Sequence, residues 1–154
     1  MCPDWTGEQA SASPSNFDEA VEAFRRAVVP YLKGDPQPVM ALWSRSEDVT
    51  LANPLGPPQR GAANVAKVGA EAAAQVSDGS IRGFEEVSRY STPDLGYVVQ
   101  IERTQARLAG SENITPTSLR ATMIFRREGD TWRLVHRHAD PILTPRPIST
   151  VIET

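Results

Sequence analysis

One stretch near the C-terminus decides the fold of this chain: Trp132-Arg133-Leu134-Val135-His136-Arg137-His138-Ala139-Asp140. Apolar and polar side chains alternate along it, and a period of two residues predicts a β-strand. Residues 119–127 alternate in the same way, and only Glu128-Gly129-Asp130 separates the two stretches. Two alternating runs joined by so short a segment predict a β-hairpin.

Helices are predicted before this hairpin and further strands beside it. Asn16 and Glu19 form a capping box, from which an apolar stripe with helical spacing runs to Gly34. Asp35-Pro36 begins a short second helix, and residues 62–76 carry valines and alanines at helical spacing. Helices followed by strands with short connections indicate an α+β fold with antiparallel neighbours. The strands are predicted at residues 48–53, 81–90, 95–108, 115–127 and 131–139.

The ending Trp-x-x-x-His-x-His-x-Asp, together with this order of elements, resembles the nuclear transport factor 2-like superfamily, in particular its SnoaL-like and ketosteroid-isomerase-like branch. The association domain of calmodulin-dependent kinase ends in a similar strand. The resemblance covers residues 17–141. It implies a cystatin-like cone, in which a curved antiparallel sheet wraps around three N-terminal helices and encloses one pocket.

The length and composition of the chain argue against several other classes of protein. A chain of 154 residues fits one domain, which we place at residues 16–141, between a disordered tail at 1–15 and an extended tail at 142–154. No apolar run approaches the length of a membrane span, and no signal-peptide pattern is evident, so we expect a cytoplasmic protein. A net charge of −3 with scattered Lys and Arg argues against a nucleic-acid partner. The single cysteine, Cys2, cannot form an internal disulfide.

The two histidines have two alternative roles, because one sequence does not fix the register of the strand. On one assignment, His136 and His138 line the pocket as ligand-binding and acid–base groups, and Asp140 either orients His138 or caps the strand end as a turn residue before Pro141. On the other, which the kinase association domain implies, Arg137 points inward and both histidines face the outer side, where such domains often pair. A β-bulge would reverse the orientation locally. His-x-His also fits a metal ion, but no third ligand is evident, so no metal site is predicted.

Glu102 lies among apolar residues of a predicted strand, where a carboxylate is costly to bury without a partner. We predict Arg120, on the neighbouring strand, as that partner. A buried carboxylate beside a guanidinium is either a structural ion pair or a functional base. The catalytic candidates are therefore Glu102, His138 and Asp140, and the ligand-binding candidates are Trp43, Asn53, Arg120, His136 and Arg137.

Known reactions of the superfamily match this chain only in part. Asn53 opens a loop similar to that of limonene-epoxide-hydrolase-like members, where an asparagine helps to hold the attacking water. Those enzymes also need an Arg-x-Asp pair, whereas this chain has Arg103-Thr104-Gln105. Ketosteroid-isomerase-like chemistry needs a carboxylate base and an acidic donor, for which Glu102 and either Tyr97 or Tyr90 are the candidates. SnoaL-type cyclisation needs an acid at the pocket wall, for which the catalytic candidates would serve.

These observations predict a small-molecule-binding protein and leave open whether it is an enzyme. As an enzyme, it would be an acid/base lyase, isomerase or cyclase acting without a cofactor on a small polyketide- or steroid-like compound. The alternative is a non-catalytic ligand-binding or oligomerisation domain, whose arginines hold an anion. A homodimer is expected in either case.

Overall fold

A computed structural model describes residues 13–153. Helices dominate the first half of this part of the chain and strands the second half. In chain order the elements are α1 (Phe17–Tyr31), α2 (Gln37–Met40), β1 (Thr50–Ala52), β2 (Gln59–Arg60), α3 (Ala62–Ala73), β3 (Val76–Ser91), β4 (Leu95–Leu108), β5 (Ile114–Glu128), β6 (Thr131–Asp140) and a 3-10 helix (Ile148–Val151).

The strands form one curved, open sheet in the order β2-β1-β6-β5-β4-β3. Its neighbours are antiparallel except β1 and β6, which run parallel. The helices pack on one side, here called the inner face, where Val98, Met123 and Phe125 are fully buried. The opposite side is the outer face. This arrangement confirms the predicted α+β cone.

The predicted hairpin forms from β5 and β6. Their register begins with Glu128 opposite Thr131, and Gly129 turns the chain with a positive φ of 64°. Glycine adopts this conformation without the steric cost that a side chain would bring. The hairpin therefore lies where the alternating sequence places it.

The start of α1 also follows its sequence signal. Asn16 is the N-cap, and its Oδ1 accepts a hydrogen bond of 2.8 Å from the Glu19 backbone N–H. The Glu19 carboxylate accepts from the Ser15 N–H, one residue before the group that a standard capping box uses. The first bond satisfies a donor that the first helical turn leaves unpaired, and the second ties the residue before the N-cap to the helix.

The boundary between α3 and β3 differs from the prediction. The helix expected at residues 62–76 ends at Ala73, and Val76 instead opens β3, opposite Leu108. At Gly79 the strand lies directly against the end of α1, where the Gly79 N–H donates to the Leu32 carbonyl at 3.0 Å. A Cβ at Gly79 would lie 2.6 Å from the Leu32 Cβ, so only glycine permits this approach.

The two predicted tails are described only in part. Cys2 and the rest of residues 1–12 lie outside the described residues. Pro14 is buried, and its carbonyl accepts from the Trp132 N–H at 2.9 Å, which ties this end of the chain to the hairpin. After Asp140 the chain is mostly exposed and extended, apart from the 3-10 helix.

Candidate functional site

A buried ion pair lies on the inner face of the sheet. Arg137 of β6 donates through Nη2 to Glu102 Oε1 at 2.6 Å and through Nη1 to Glu102 Oε2 at 2.8 Å. The side chains are 15% and 7% exposed, respectively. Two parallel N–H···O bonds between planar groups are the strongest geometry available to an Arg–carboxylate pair. The fold therefore places a fixed, water-poor pair of opposite charges among apolar side chains.

A β-bulge explains how Arg137 reaches this position. Ile124 is opposite His136 and Phe125 is opposite Leu134, so Val135 is an extra residue without a partner on β5. Before the bulge, Trp132 and Leu134 are buried on the inner face. After it the alternation is reversed, and the inward positions are those of Arg137 and Ala139. The bulge thus reconciles the two orientations that the sequence left open.

A chain of side-chain hydrogen bonds extends the pair toward α1. The Gln100 Nε2 donates to Glu102 Oε2 at 2.8 Å, and the Gln100 Oε1 accepts from Arg25 Nε at 2.9 Å and Nη2 at 2.8 Å. Arg25 also contacts Glu22 at 3.1 Å and Glu86 at 3.0 Å. Gln100 is fully buried and Arg25 is 8% exposed. The network therefore runs from the solvent edge at Glu22 and Glu86 to the centre of the inner face.

Electrostatics keep both members of the central pair charged. Burial alone raises the pKa of Glu102, but the charge and hydrogen bonds of Arg137, helped by Gln100, outweigh burial and leave that pKa below its usual value. Burial likewise lowers the pKa of Arg137, and Glu102 more than restores it. A carboxylate held in this way is a poor general base, because taking up a proton would break its bonds to Arg137.

Tyr31 adds a neutral polar group beside this pair. Its hydroxyl donates to the Gly69 carbonyl at 3.4 Å, a long hydrogen bond. Burial raises the pKa of Tyr31, an effect that the charge of Arg137 partly offsets. The phenol therefore stays protonated and can donate a hydrogen bond. The Arg137 guanidinium also lies 5.2 Å from the centre of the Phe24 ring, within cation–π range.

Sequence reasoning missed three members of this site: Arg25, Tyr31 and Gln100. Arg25 and Tyr31 lie on the helical stripe that α1 turns toward the sheet, and Gln100 is two residues from Glu102 on the same strand face. A charged residue on an apolar helical stripe was the available signal for Arg25. Tyr31 gave no such signal, because tyrosine fits an apolar stripe without a polar role.

The histidines and their neighbours lie on the outer face, so the predicted catalytic group is not assembled. His138 is largely exposed, with Nε2 3.5 Å from Asp140 Oδ2, while Glu102 is on the inner face. His136 Nδ1 lies 2.7 Å from the Thr50 hydroxyl. Burial, and secondarily the charge of His138, lowers the pKa of His136. Of the eight predicted site residues, the structure brings only Glu102 and Arg137 together on the inner face. Asp140 lies beside His138 and Arg120 on the outer face.

The predicted partnership of Glu102 with Arg120 is wrong. Arg120 is opposite Ile101, and residues that are directly opposite share a face, so Arg120 points away from Glu102. It instead donates through Nε to Asp140 Oδ1 at 2.7 Å. Tyr97 and Tyr90, the predicted acidic donors, also lie outside the inner-face site: their rings contact each other, 40% and 63% exposed.

Trp43 and Asn53 are separate from the ion pair. The Asn53 Oδ1 accepts from the Leu55 N–H at 3.0 Å, which shapes the loop after β1. Trp43 belongs to the hydrophobic core and also lines a cavity of about 290 Å³ between α2 and α3, together with Met40, Arg45 and Val65. We call this space the α2–α3 cavity. It is a second concave surface, and its lining includes neither Glu102 nor Arg137.

The described residues also bear on metal binding and on membrane insertion. Within residues 13–153, no three His, Cys, Asp or Glu side chains are arranged to hold a metal ion. Across the same residues, the helices are too short or too polar for any of them to span a bilayer.

Comparison with known proteins identifies the fold. None of the curated proteins matches the chain in sequence. A Thiobacillus denitrificans protein, provisionally assigned as a calcium/calmodulin-dependent protein kinase type II association domain, is similar over 86% of this chain and 99% of its own, with 27% identity and a TM-score of 0.66. A ketosteroid isomerase-like protein from Erwinia carotovora atroseptica has 18% identity and a TM-score of 0.62, over 84% of this chain and 100% of its own.

A third similar structure contains a small molecule. It is a Catenulispora acidiphila protein with a ketosteroid isomerase-like fold in complex with trimethylamine, with 16% identity and a TM-score of 0.53 over 83% of this chain and 88% of its own. The model of the SnoaL-like domain matches residues 18–143, which include all the helices and strands of the cone except the first residue of α1. The chain therefore belongs to the SnoaL-like domain family.

Proposed function

We propose that this protein binds a small organic molecule on the inner face of its sheet, against the Arg137–Glu102 pair. The observation that carries the proposal is the burial of that pair and its network among apolar side chains. Two buried ions cost several kcal/mol each in desolvation, and apolar residues of the same volume often stabilise a protein better. A recognition role would explain why charged groups occupy this position.

The accessibility of the pair supports the proposal. Arg137 keeps 15% of its side chain accessible, with the half-buried Tyr31 and the apolar ring of Phe24 beside it. A few polar groups within an apolar lining are typical of small-molecule sites. The trimethylamine complex of the Catenulispora protein is one case in which this fold holds a small molecule.

A binding screen with two variants tests the proposal. Uncharged and charged ring compounds are screened by ligand-observed NMR against the wild type, and each hit is measured again with the double variant Glu102→Leu/Arg137→Met, which replaces the pair with apolar groups of similar size. We expect at least about a tenfold loss of affinity, since a lost hydrogen bond to a charged group is worth about 1.5–3 kcal/mol.

The matched control is Ala66→Leu, which narrows the α2–α3 cavity. It should leave the affinities unchanged. Hits that depend on Ala66 and not on the pair would place the ligand in the α2–α3 cavity and contradict the proposal.

A second candidate function is acid–base catalysis of the lyase, isomerase or cyclase type, and the geometry of Tyr31 favours it. Its phenol stays protonated beside the Arg137 guanidinium, so it can donate a proton or a hydrogen bond to a bound molecule, as acid–base chemistry requires. Glu102, which Arg137 holds ionised, would not be the base. The test is Tyr31→Phe assayed with any compound that the wild type converts. Turnover should fall about 10²–10⁴-fold while binding is retained. Unchanged turnover would remove Tyr31 from the reaction.

We also propose that two copies associate through the outer face. Tyr97, Val99 and Ile101 of β4 and Ile124 of β5 form an apolar strip there, next to both histidines. Tyr97 and Tyr90 remain substantially exposed in the single chain. Contiguous exposed apolar surface is typical of interaction sites.

A further inference from the structure

We propose that the inner-face site selects uncharged molecules carrying both a hydrogen-bond acceptor and a donor, and that Glu102 sets this selectivity by neutralising Arg137. This inference rests on the proposed function, since it names the ligand class of the same site. It differs from the expectation that the arginines of the pocket hold an anion.

Neither inner-face arginine is an unpaired cation. Arg137 donates to both oxygens of Glu102, at 2.6 and 2.8 Å. Arg25 donates through Nε and Nη2 to Gln100, through Nη1 to Glu22 at 3.1 Å and through Nη2 to Glu86 at 3.0 Å. Every nitrogen of the Arg25 guanidinium is therefore engaged, and each arginine has a carboxylate of the same chain beside it.

A charged ligand loses solvation free energy when it enters this site. A ligand carboxylate that leaves water loses several kcal/mol of solvation free energy, and only a nearby opposite charge can compensate for this loss. Here the attraction of Arg137 is offset by the repulsion of Glu102, whose carboxylate lies within 3 Å of the guanidinium and stays ionised. A ketone, amide or alcohol meets no such repulsion and loses less solvation.

The Arg137–Glu102 pair keeps unused hydrogen-bonding capacity. Among residues 13–153, Arg137 Nε has no acceptor, and Glu102 Oε1 accepts only from Arg137. A carboxylate oxygen has about two acceptor positions. The pair thus offers an N–H to a ligand carbonyl and an oxygen lone pair to a ligand hydroxyl or amide N–H. A neutral molecule with both groups satisfies both sites.

The experiment compares two probes that share one ring skeleton, 3-hydroxybenzamide and 3-hydroxybenzoate. Binding at pH 7.5 is followed through the ¹⁵N side-chain signal of Arg137, with Arg45 reporting on the α2–α3 cavity. The wild type should bind the amide at least about tenfold more tightly than the carboxylate. Glu102→Gln leaves the Arg137 charge unbalanced and should reverse the preference, with at least about a tenfold gain for 3-hydroxybenzoate.

Two controls separate local charge from net charge. Glu85→Gln removes one negative charge from an exposed residue that pairs with Arg103, so the preference should stay with the amide. The double variant Glu102→Gln/Arg137→Gln is neutral, as the wild-type pair is, and should also prefer the amide. Because it lacks Arg137, its binding is followed through the side-chain amide signal of the adjacent Gln100. It keeps the inference testable even where Glu102→Gln alone does not fold.

The outcomes distinguish this inference from the proposed function. Tighter binding of 3-hydroxybenzoate by the wild type at Arg137, or an unreversed preference in folded Glu102→Gln, would overturn the selectivity and leave inner-face binding intact. Shifts of Arg45 without shifts of Arg137 would contradict inner-face binding itself and the inference with it. The same holds where neither probe shifts Arg137 in any of the proteins that contain it.

Discussion

Glu102 can be buried only because Arg137 lies against it. The two share two short hydrogen bonds, and Gln100 satisfies a further acceptor position of the carboxylate. Removing one partner from such a pair leaves an uncompensated charge, whereas replacing both leaves none. At the scale of single residues, the central physical property of the site is this mutual dependence.

A double-mutant cycle measures that dependence. We expect Arg137→Met to lower the free energy of unfolding by about 3–5 kcal/mol, because it leaves Glu102 buried without a counter-charge. The double variant Glu102→Leu/Arg137→Met should recover most of this loss. Urea unfolding followed by circular dichroism gives both values. A double variant as unstable as Arg137→Met would show that the unpaired charge of Glu102 is not the cause of the lost stability.

His136 gives a pH-dependent prediction. Burial holds its pKa in the folded protein below that of the unfolded chain, which is about 6.5. Its contribution to stability is therefore complete above about pH 6.5 and is lost as the pH falls through the folded-state value. Between pH 7.5 and 5.5, His136→Gln should lose less unfolding free energy than the wild type in urea titrations. Equal losses of unfolding free energy in the two proteins would contradict a lowered pKa of His136 in the folded state.

The sequence predicted part of the site at this scale. It identified Glu102 as a carboxylate that needs a partner, since charges among apolar strand residues are costly. It chose Arg120 because the strands are neighbours, but the register places Arg120 opposite Ile101, on the other face. Register depends on pairing between distant segments, and a shift of one residue exchanges the faces.

At the scale of elements, the bulge at Val135 decides what the last strand presents to each face. Strict alternation would place both histidines on the same face as Trp132 and Leu134, whereas the extra residue Val135 turns Arg137 toward that face instead. No local pattern in the sequence marks this bulge, because Val135 fits a regular strand as well. The hairpin itself was predictable from alternation and a short turn. The placement of its inward-facing residues was not.

The contact between α1 and β3 yields a prediction at the same scale. A Cβ at Gly79 would lie 2.6 Å from the Leu32 Cβ and 2.7 Å from the Leu32 carbonyl oxygen, and the backbone cannot yield as a flexible side chain can. Gly79→Ala should therefore lower the unfolding free energy by roughly 1–3 kcal/mol in urea titrations.

Gly83 is the control on the same strand, since a methyl group added there would meet no other atom within 4 Å and its φ is not positive. Gly83→Ala should cause no loss of stability. Equal effects of the two substitutions would show that the approach of Leu32 to Gly79 does not matter.

At the scale of the whole molecule, the helices cover one face of the sheet, and within residues 13–153 no helix covers the other face. This asymmetry was predictable, because helices first and strands afterwards form a two-layer α+β fold. The family resemblance added the cone, which the comparisons confirm. What could not be predicted is how the interior charges neutralise one another, since that depends on atomic contacts.

The uncovered outer face predicts association. We expect the mass of the wild type by light scattering to be that of two chains. Tyr97→Glu places a charge in the apolar strip and should shift the protein to a single chain without unfolding it. Leu55→Glu, at a residue 71% exposed in the loop after β1, is the control and should remain paired. A wild type with the mass of one chain would refute association through this face.

Inner-face binding is tested most directly by a crystal structure of the protein with 3-hydroxybenzamide. The predicted result is density for the amide carbonyl oxygen at about 2.7–3.2 Å from Arg137 Nε, with the ring beside Tyr31. Density confined to the α2–α3 cavity beside Trp43, or to the outer face beside His138, would contradict the claim that the Arg137–Glu102 pair is the recognition site.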